Sequence, residues 1–263
     1  MMTREENMDR FFGSDGKTVI LPIDHGTAIP VPGMEDPLGL IEETSPHVDG
    51  FVVNMGVALA AHDLLEDKGL CLRTDCYKPV YGDNDDEGAY RIFDAEHAEL
   101  IGANAVMNML YTHHRNEVEI FREAAELIGD SLDADIPVIL ETLPFGIGRP
   151  DDYTPENIGF AVRAAAELGA DVVKTAFPTN GTVDDFKKIV DACFVPVIVL
   201  GGAASGDDSA LLTMVKKAVD AGASGIAVGR NVWQHKNPKA IARALSAIVH
   251  GGDSVESSLK LLS

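Results

Sequence analysis

The chain has 263 residues, of which 42 are acidic and 21 basic, giving a formal net charge of −21; 46% are hydrophobic and 24% charged. This is a folded composition, not a disordered one, and the acidic excess excludes nucleic acid and anionic membrane as partners, because surfaces that bind phosphate backbones are basic. The length fits a single α/β barrel, a class that uses about 250 residues per domain, and the charge reads as a solvated acidic coat suited to a salty cytoplasm.

In chain order, residues 1–17 read as a lead-in helix and turn, with Phe11 and Phe12 available as a plug and Ser14-Asp15-Gly16 as the turn. Eight apolar runs follow. They are Thr18–Asp24, Gly50–Asn54, Leu70–Asp75, Ala105–Leu110, Pro137–Leu143, Ala170–Phe177, Pro196–Gly202 and Gly225–Arg230. Near-continuous apolar runs of this length are the mark of parallel strands covered on both faces. Helical patterns separate most of them. Glu117–Gly129 has Val118, Phe121, Ala125 and Ile128 near helical spacing, and Thr154-Pro155-Glu156 reads as cap, N1 proline and acidic first turn of a helix that Gly169 stops. Asp184–Ala192, Asp207–Ala221 and Asn237–Val249 behave alike, and a last helix covers about Ser254 to Leu262. Tyr81–Tyr90 is a hydrophilic insertion after the third strand.

Strands alternating with helices, in this number, predict a closed (β/α)8 TIM barrel spanning 1–263, with 1–17 as lead-in and 253–263 as a C-terminal helix. An open doubly wound sheet is the alternative, but the first strand is followed by Asp24-His25-Gly26 where that fold would carry a glycine-rich dinucleotide turn. Cys71, Cys76 and Cys193 form no CxxC pair and are odd in number, which fits a reducing compartment. No signal peptide and no run of ~18 apolar residues is evident, so the expected location is cytoplasmic.

Barrel active sites collect at the C-terminal ends of the strands. The residues there include Asp24, His25, Asn54, Arg73, Asp75, Tyr111, Glu141, Lys174, Gly201, Gly202, Gly229 and Arg230. Lys174 stands inside an apolar run, where an amine is costly unless paired or uncharged. A neutral, desolvated lysine condenses with a ketone or aldehyde, and the iminium formed is the electron sink that C–C cleavage requires. A salt bridge to Glu141 on the preceding strand explains the same residue without chemistry. Gly201-Gly202 and Gly229-Arg230 end consecutive strands, the seventh and eighth, where barrels bind phosphate through backbone N–H groups; Arg230 adds charge. Asp24 and Glu141 are the candidates for proton transfer, with His25 beside Asp24. His113-His114 shows no metal-ligand spacing and reads as a polar loop end.

Ile23-Asp24-His25-Gly26, Ala170–Thr175, Val197–Gly202 and Gly225–Gln234 together resemble archaeal-type class I aldolases, the group of archaeal class I fructose-bisphosphate aldolase, aminodideoxyheptulosonate synthase and the autoinducer-2 thiolase. The resemblance implies a TIM barrel, a Schiff base at Lys174, Asp24 in proton transfer or substrate binding, and phosphate on Gly201, Gly202, Gly229 and Arg230. It also implies no metal or other cofactor, and a ring-built homo-oligomer, often a decamer. Two positions depart from the pattern. Leu143 stands where the aldolase and the synthase carry a catalytic tyrosine before a proline, and Ile29 lies about where the aldolase has a further histidine. The expected activity is a metal-independent class I aldolase acting on a phosphorylated ketose. The alternatives are a Schiff-base transferase and a non-catalytic barrel that binds a sugar phosphate.

Overall fold

The computed structural model describes residues 2–28, 31–77, 89–204 and 206–262. Ile29 and most of the Tyr81–Tyr90 insertion fall outside them.

A first helix, α1 (Arg4–Asp9), is held by a Thr3–Glu6 capping box and leads to β1 (Thr18–Pro22). Then come α2 (Pro37–Thr44), β2 (Gly50–Val53), the short α3 (Met55–Ala60) and α4 (His62–Leu65), and β3 (Gly69–Arg73). β4 (Asp75–Tyr77) and β5 (Ala89–Arg91) pair antiparallel outside the barrel, so the third run of the sequence is two strands, not one. The chain continues through α5 (Ala95–Leu100), β6 (Ala105–Thr112), α6 (Glu117–Asp133), β7 (Val138–Pro144), α7 (Pro155–Leu168) and β8 (Val172–Thr175). It ends with α8 (Val183–Asp191), β9 (Val197–Leu200), α9 (Asp208–Asp220), β10 (Gly225–Ala227), α10 (Arg230–Trp233), α11 (Pro238–Val249) and α12 (Val255–Leu259).

Eight parallel strands close in the order β1-β10-β9-β8-β7-β6-β3-β2. The helix signals act as read: Thr154 accepts from the Asn157 N–H, Pro155 opens α7, and Gly169 ends it at φ +120°, a conformation glycine adopts without a Cβ clash. The interior floor is a separate apolar cluster of Ile20, Val52, Cys71, Ala105, Met107, Ile139, Val172, Ile198 and Ala227, and Phe11 closes it from below. A Cβ on Gly50 or Gly69 would lie 2.7 Å or 2.5 Å from the Phe11 ring, so both glycines are the seat of the plug. Arg4 locks this end: its guanidinium meets Asp171 at 2.8 and 2.5 Å and the carbonyls of Ser131 and Ile136 at 2.9 and 2.7 Å. With the floor sealed, the polar layer above it opens only at the C-terminal ends of the strands.

Candidate active site

That layer begins where the apolar floor stops. Cα pairing aligns Met109, Glu141, Lys174 and Ile198 across β6, β7, β8 and β9. Lys174 is 4% and Glu141 7% exposed, and Nζ lies 2.9 Å from Glu141 Oε1. The only other polar neighbour of Nζ among the described residues is Met107 Sδ at 3.9 Å. The salt bridge expected as the non-chemical explanation of Lys174 is therefore present, and it also gives the amine an immediate proton acceptor.

The other oxygen of Glu141 is taken by Arg73. Nη2 of Arg73 donates to Glu141 Oε2 at 2.6 Å, Nε to Asp24 Oδ2 at 2.6 Å, and Nη1 to Asp75 Oδ1 at 3.3 Å. The second Asp75 oxygen accepts from the Met109 N–H at 2.7 Å. Burial pushes the Asp24 carboxyl up, but Arg73 first, then His25 and Lys174, outweigh it and hold it far below the usual carboxylate range. At Glu141, Lys174 and then Arg73 likewise overcome burial and lower the carboxyl. Asp75 goes the other way: burial, offset only in part by Arg73 and the Met109 N–H, pushes it up to about 6.

β1 ends at Pro22, and His25 opens a short 3-10 turn, so strand alternation no longer separates Asp24 from His25. Asp24 makes no side-chain cap to that turn. Its Oδ1 lies 3.4 Å from His25 Nδ1, an ion-pair contact, and both atoms are buried without a hydrogen-bond partner. Buried unsatisfied polar atoms at a barrel mouth suit a ligand hydroxyl. Asn54 holds the Asp24 carbonyl at 2.7 Å, and the His25 ring meets Trp233 edge-on at 5.4 Å. Trp233 is buried and donates to the Pro22 carbonyl, packing under the last loop.

The two glycine-bearing loops lie on neighbouring strands, β9 and β10, next to β8. Gly202 has φ +67°. A Cβ on Gly201 would meet Val228 at 2.6 Å, and one on Gly229 would meet the Pro22 carbonyl at 2.7 Å. Asn231 ties the loops together by donating to the Gly201 carbonyl at 2.9 Å. Arg230 opens the four-residue α10, is half-buried, and has no ion-pair partner among the described residues. A cation left free beside close-packed glycine loops is what an incoming anion requires.

Leu143 is buried on β7, in register with Tyr111 on β6, two residues above Glu141. Burial, reinforced by the Asp75 and Glu141 charges, pushes the Tyr111 phenol well up. His113 projects outward, stacked on Phe160 at 4.8 Å, and His114 packs against Tyr111, so the His-His pair shares no common centre. Among the described residues no group of three or more His, Cys, Asp and Glu is arranged to hold a metal ion. The structure thus brings Asp24, His25, Glu141 and Lys174 into one buried polar layer, with Gly201, Gly202, Gly229 and Arg230 on the adjoining rim. What sequence reasoning left without a role is Arg73. Its signal was a second charge in an otherwise apolar strand, the same anomaly that marks Lys174.

A family profile described as DeoC/LacD family aldolase matches residues 18–235. A fructose-bisphosphate aldolase class 1 from Halobacterium salinarum is 33% identical over 93% of this chain and 95% of its own. A 2-amino-3,7-dideoxy-D-threo-hept-6-ulosonate synthase from Archaeoglobus fulgidus is 32% identical over 97% of this chain and 94% of its own. Among solved structures, an archaeal fructose 1,6-bisphosphate aldolase superposes with a TM-score of 0.83 at 32% identity, over 95% of this chain and 100% of that one. An archaeal fructose-1,6-bisphosphate aldolase with its catalytic lysine covalently bound to the carbinolamine intermediate of the substrate also superposes at 0.83, with 31% identity over 95% of this chain and all of that one.

Proposed function

The chain belongs to the DeoC/LacD family of aldolases, and from that premise we propose that it makes or breaks a C–C bond in a phosphorylated ketose through a Schiff base on Lys174. The observation that carries the reading is a lysine 4% exposed, 2.9 Å from a carboxylate, on the strand next to two anion-suited loops.

The geometry supports the following steps. Glu141 takes a proton from the Lys174 ammonium, and the freed amine adds to the substrate carbonyl. The carbinolamine loses water and becomes an iminium. Asp24, ionised and with one oxygen that makes no hydrogen bond, accepts the proton of the hydroxyl on the β carbon, two carbons from the iminium carbon. The C–C bond then breaks, its electron pair moves into the iminium to give an enamine, and an aldehyde leaves. Protonation of the enamine and hydrolysis of the imine release the second product and restore Lys174. His25 orients the hydroxyl beside Asp24. The backbone N–H groups of Gly201, Gly202 and Gly229, with Arg230, hold the phosphate and fix the carbonyl carbon over Nζ.

Borohydride trapping across a panel of phosphorylated ketoses and 2-keto acids, read by mass spectrometry, tests this. A reduced adduct on the Lys174 peptide is expected, with Lys174→Met losing both adduct and at least about a thousandfold in rate. Absence of any adduct at Lys174 across the panel counts against the reading.

Leu143 favours a second reading, transfer of the cleaved fragment to another acceptor. An apolar residue two positions above Glu141 supplies no proton at that side of the mouth. Product analysis with and without an added acceptor separates the two, because simple cleavage without acceptor excludes obligatory transfer.

We also propose a homo-oligomer. Leu100 at 78%, Val118 at 83%, Phe160 at 50% and Phe194 at 64% exposure, on and next to α5 to α8, are the apolar surface that supports it. Light scattering coupled to size exclusion measures the assembly. A cytoplasmic setting is proposed from the three unpaired cysteines.

A further inference from the structure

Arg73 sits on β3, three strands round the barrel from Lys174, and reaches carboxylates just after β1, at the start of β4 and within β7 at once. In strand order Asp24 follows β1 on one side of Lys174 and Glu141 stands on β7 on the other. Each of the three guanidinium nitrogens takes a different carboxylate, at 2.6, 3.3 and 2.6 Å, and the Arg73 side chain is 1% exposed. The guanidinium plane lies over the Tyr77 ring, 5.0 Å from its centroid. Only a planar fork with several fixed donors makes this pattern; a lysine ammonium is a single point charge on a flexible stem.

The cluster is not a balanced structural ion pair. Fully ionised, it holds two cations, Arg73 and Lys174, against three carboxylates, Asp24, Asp75 and Glu141, leaving one negative charge in excess inside the barrel. Burying such a set adds little stability over a packed apolar trio. Burial alone would protonate the carboxylates. A protonated Asp24 could not take a proton from a substrate hydroxyl, and a protonated Glu141 could not take one from Lys174.

We propose that Arg73 is a positioning residue of the aldolase site, holding Asp24 and Glu141 ionised and fixed on the two sides of Lys174. The first proton that the cluster takes up as pH falls goes to Asp75, the carboxylate with the longest bond to Arg73. The catalytic consequence rests on the aldolase reading; the charge state of the cluster does not.

The test is infrared spectroscopy of the full-length protein, reading the C=O stretch of protonated carboxyls against pH, with ¹³C-carboxyl aspartate or glutamate to assign the band. In the wild type one buried aspartate is expected to protonate as pH falls through about 6, with no buried glutamate doing so at that pH. Arg73→Met is expected to carry at least two protonated buried carboxyls at pH 7, one of them glutamate or Asp24. Should Arg73→Met fail to fold, Arg73→Lys decides: it keeps the charge but not the fork, and at least one carboxyl beyond Asp75 is expected to protonate near neutrality. With the ketose phosphate that labels wild-type Lys174, the acid limb of kcat/KM moves up by about one pH unit or more in Arg73→Lys. A folded Arg73→Lys with the wild-type carboxyl titration overturns the proposal. The infrared readout uses no substrate, so its failure is distinct from failure to trap a Schiff base on the wild-type enzyme, which overturns the aldolase reading instead.

Discussion

His250 caps the C-terminus of α11, and its ring bridges two carboxylates at the closed end of the barrel. Nδ1 lies 2.9 Å from Asp15 Oδ2 and Nε2 3.0 Å from Asp49 Oδ2. Asp49 in turn accepts the Val19 N–H at 2.6 Å, so the bridge links the first turn, β1 and α11. The hydrogen bond to Asp49 and, against partial burial, the one to Asp15 raise the imidazole to about 9 from an ordinary 6.5. The folded state therefore binds a proton that the unfolded chain has released over that interval. The stabilisation is fully present below about pH 6.5 and is lost as pH rises through about 9. That interval corresponds to about 3 kcal/mol, and screening of a side chain 27% exposed brings the expected effect to about 2 kcal/mol. Urea unfolding of the wild type and His250→Ala at pH 6 and pH 10 isolates the contribution from other groups that titrate in the range. The stability gap between the two proteins is expected to shrink by about 2 kcal/mol on going to pH 10. A gap that stays constant refutes the bridge as a protonated one.

Three further outcomes follow from the geometry. Gly229→Ala places a Cβ 2.7 Å from the Pro22 carbonyl and 3.1 Å from His25, so KM for the phosphorylated substrate is expected to rise about tenfold while Lys174 still traps; an unchanged KM removes Gly229 from the anion site. Phe11→Ala empties the plug under the barrel and is expected to cost about 3 kcal/mol or more in urea unfolding, and a loss below about 1 kcal/mol would mean the floor is sealed by other contacts. With a net charge of −21, the midpoint of thermal unfolding is expected to climb as KCl goes from low to molar concentration; a flat profile contradicts self-repulsion as a cost of folding.

Local signals in the chain were enough for the barrel itself. Eight apolar runs of strand length, and caps such as Thr154-Pro155 with Gly169, are properties of neighbouring residues, and they survive in the structure as β1 to β3, β6 to β10 and helices such as α7. Lys174 was legible for the same reason, because a charge inside an apolar run is costly wherever the run is buried. The glycine pairs after the seventh and eighth runs were legible because loop position in a barrel follows from strand order. Element ends were less so: the third run reads as one strand, but Thr74 lies between β3 and an antiparallel β4 whose partner, β5, lies beyond the intervening insertion.

The electrostatics of the site belong to the tertiary structure. Arg73 meets Asp24 across 49 residues and Glu141 across 68, and no periodicity records such separations. Three carboxylates and two cations read singly from the sequence are five candidates of equal standing. Closing the barrel sets their distances, and distance in a dry interior decides which carboxylates stay ionised and which takes the proton. The sequence alone determined that a lysine would lie in a buried barrel strand beside two glycine-bearing loops; only the closed sheet, bringing β1, β3, β7 and β8 together, decided which groups surround it and in what charge state.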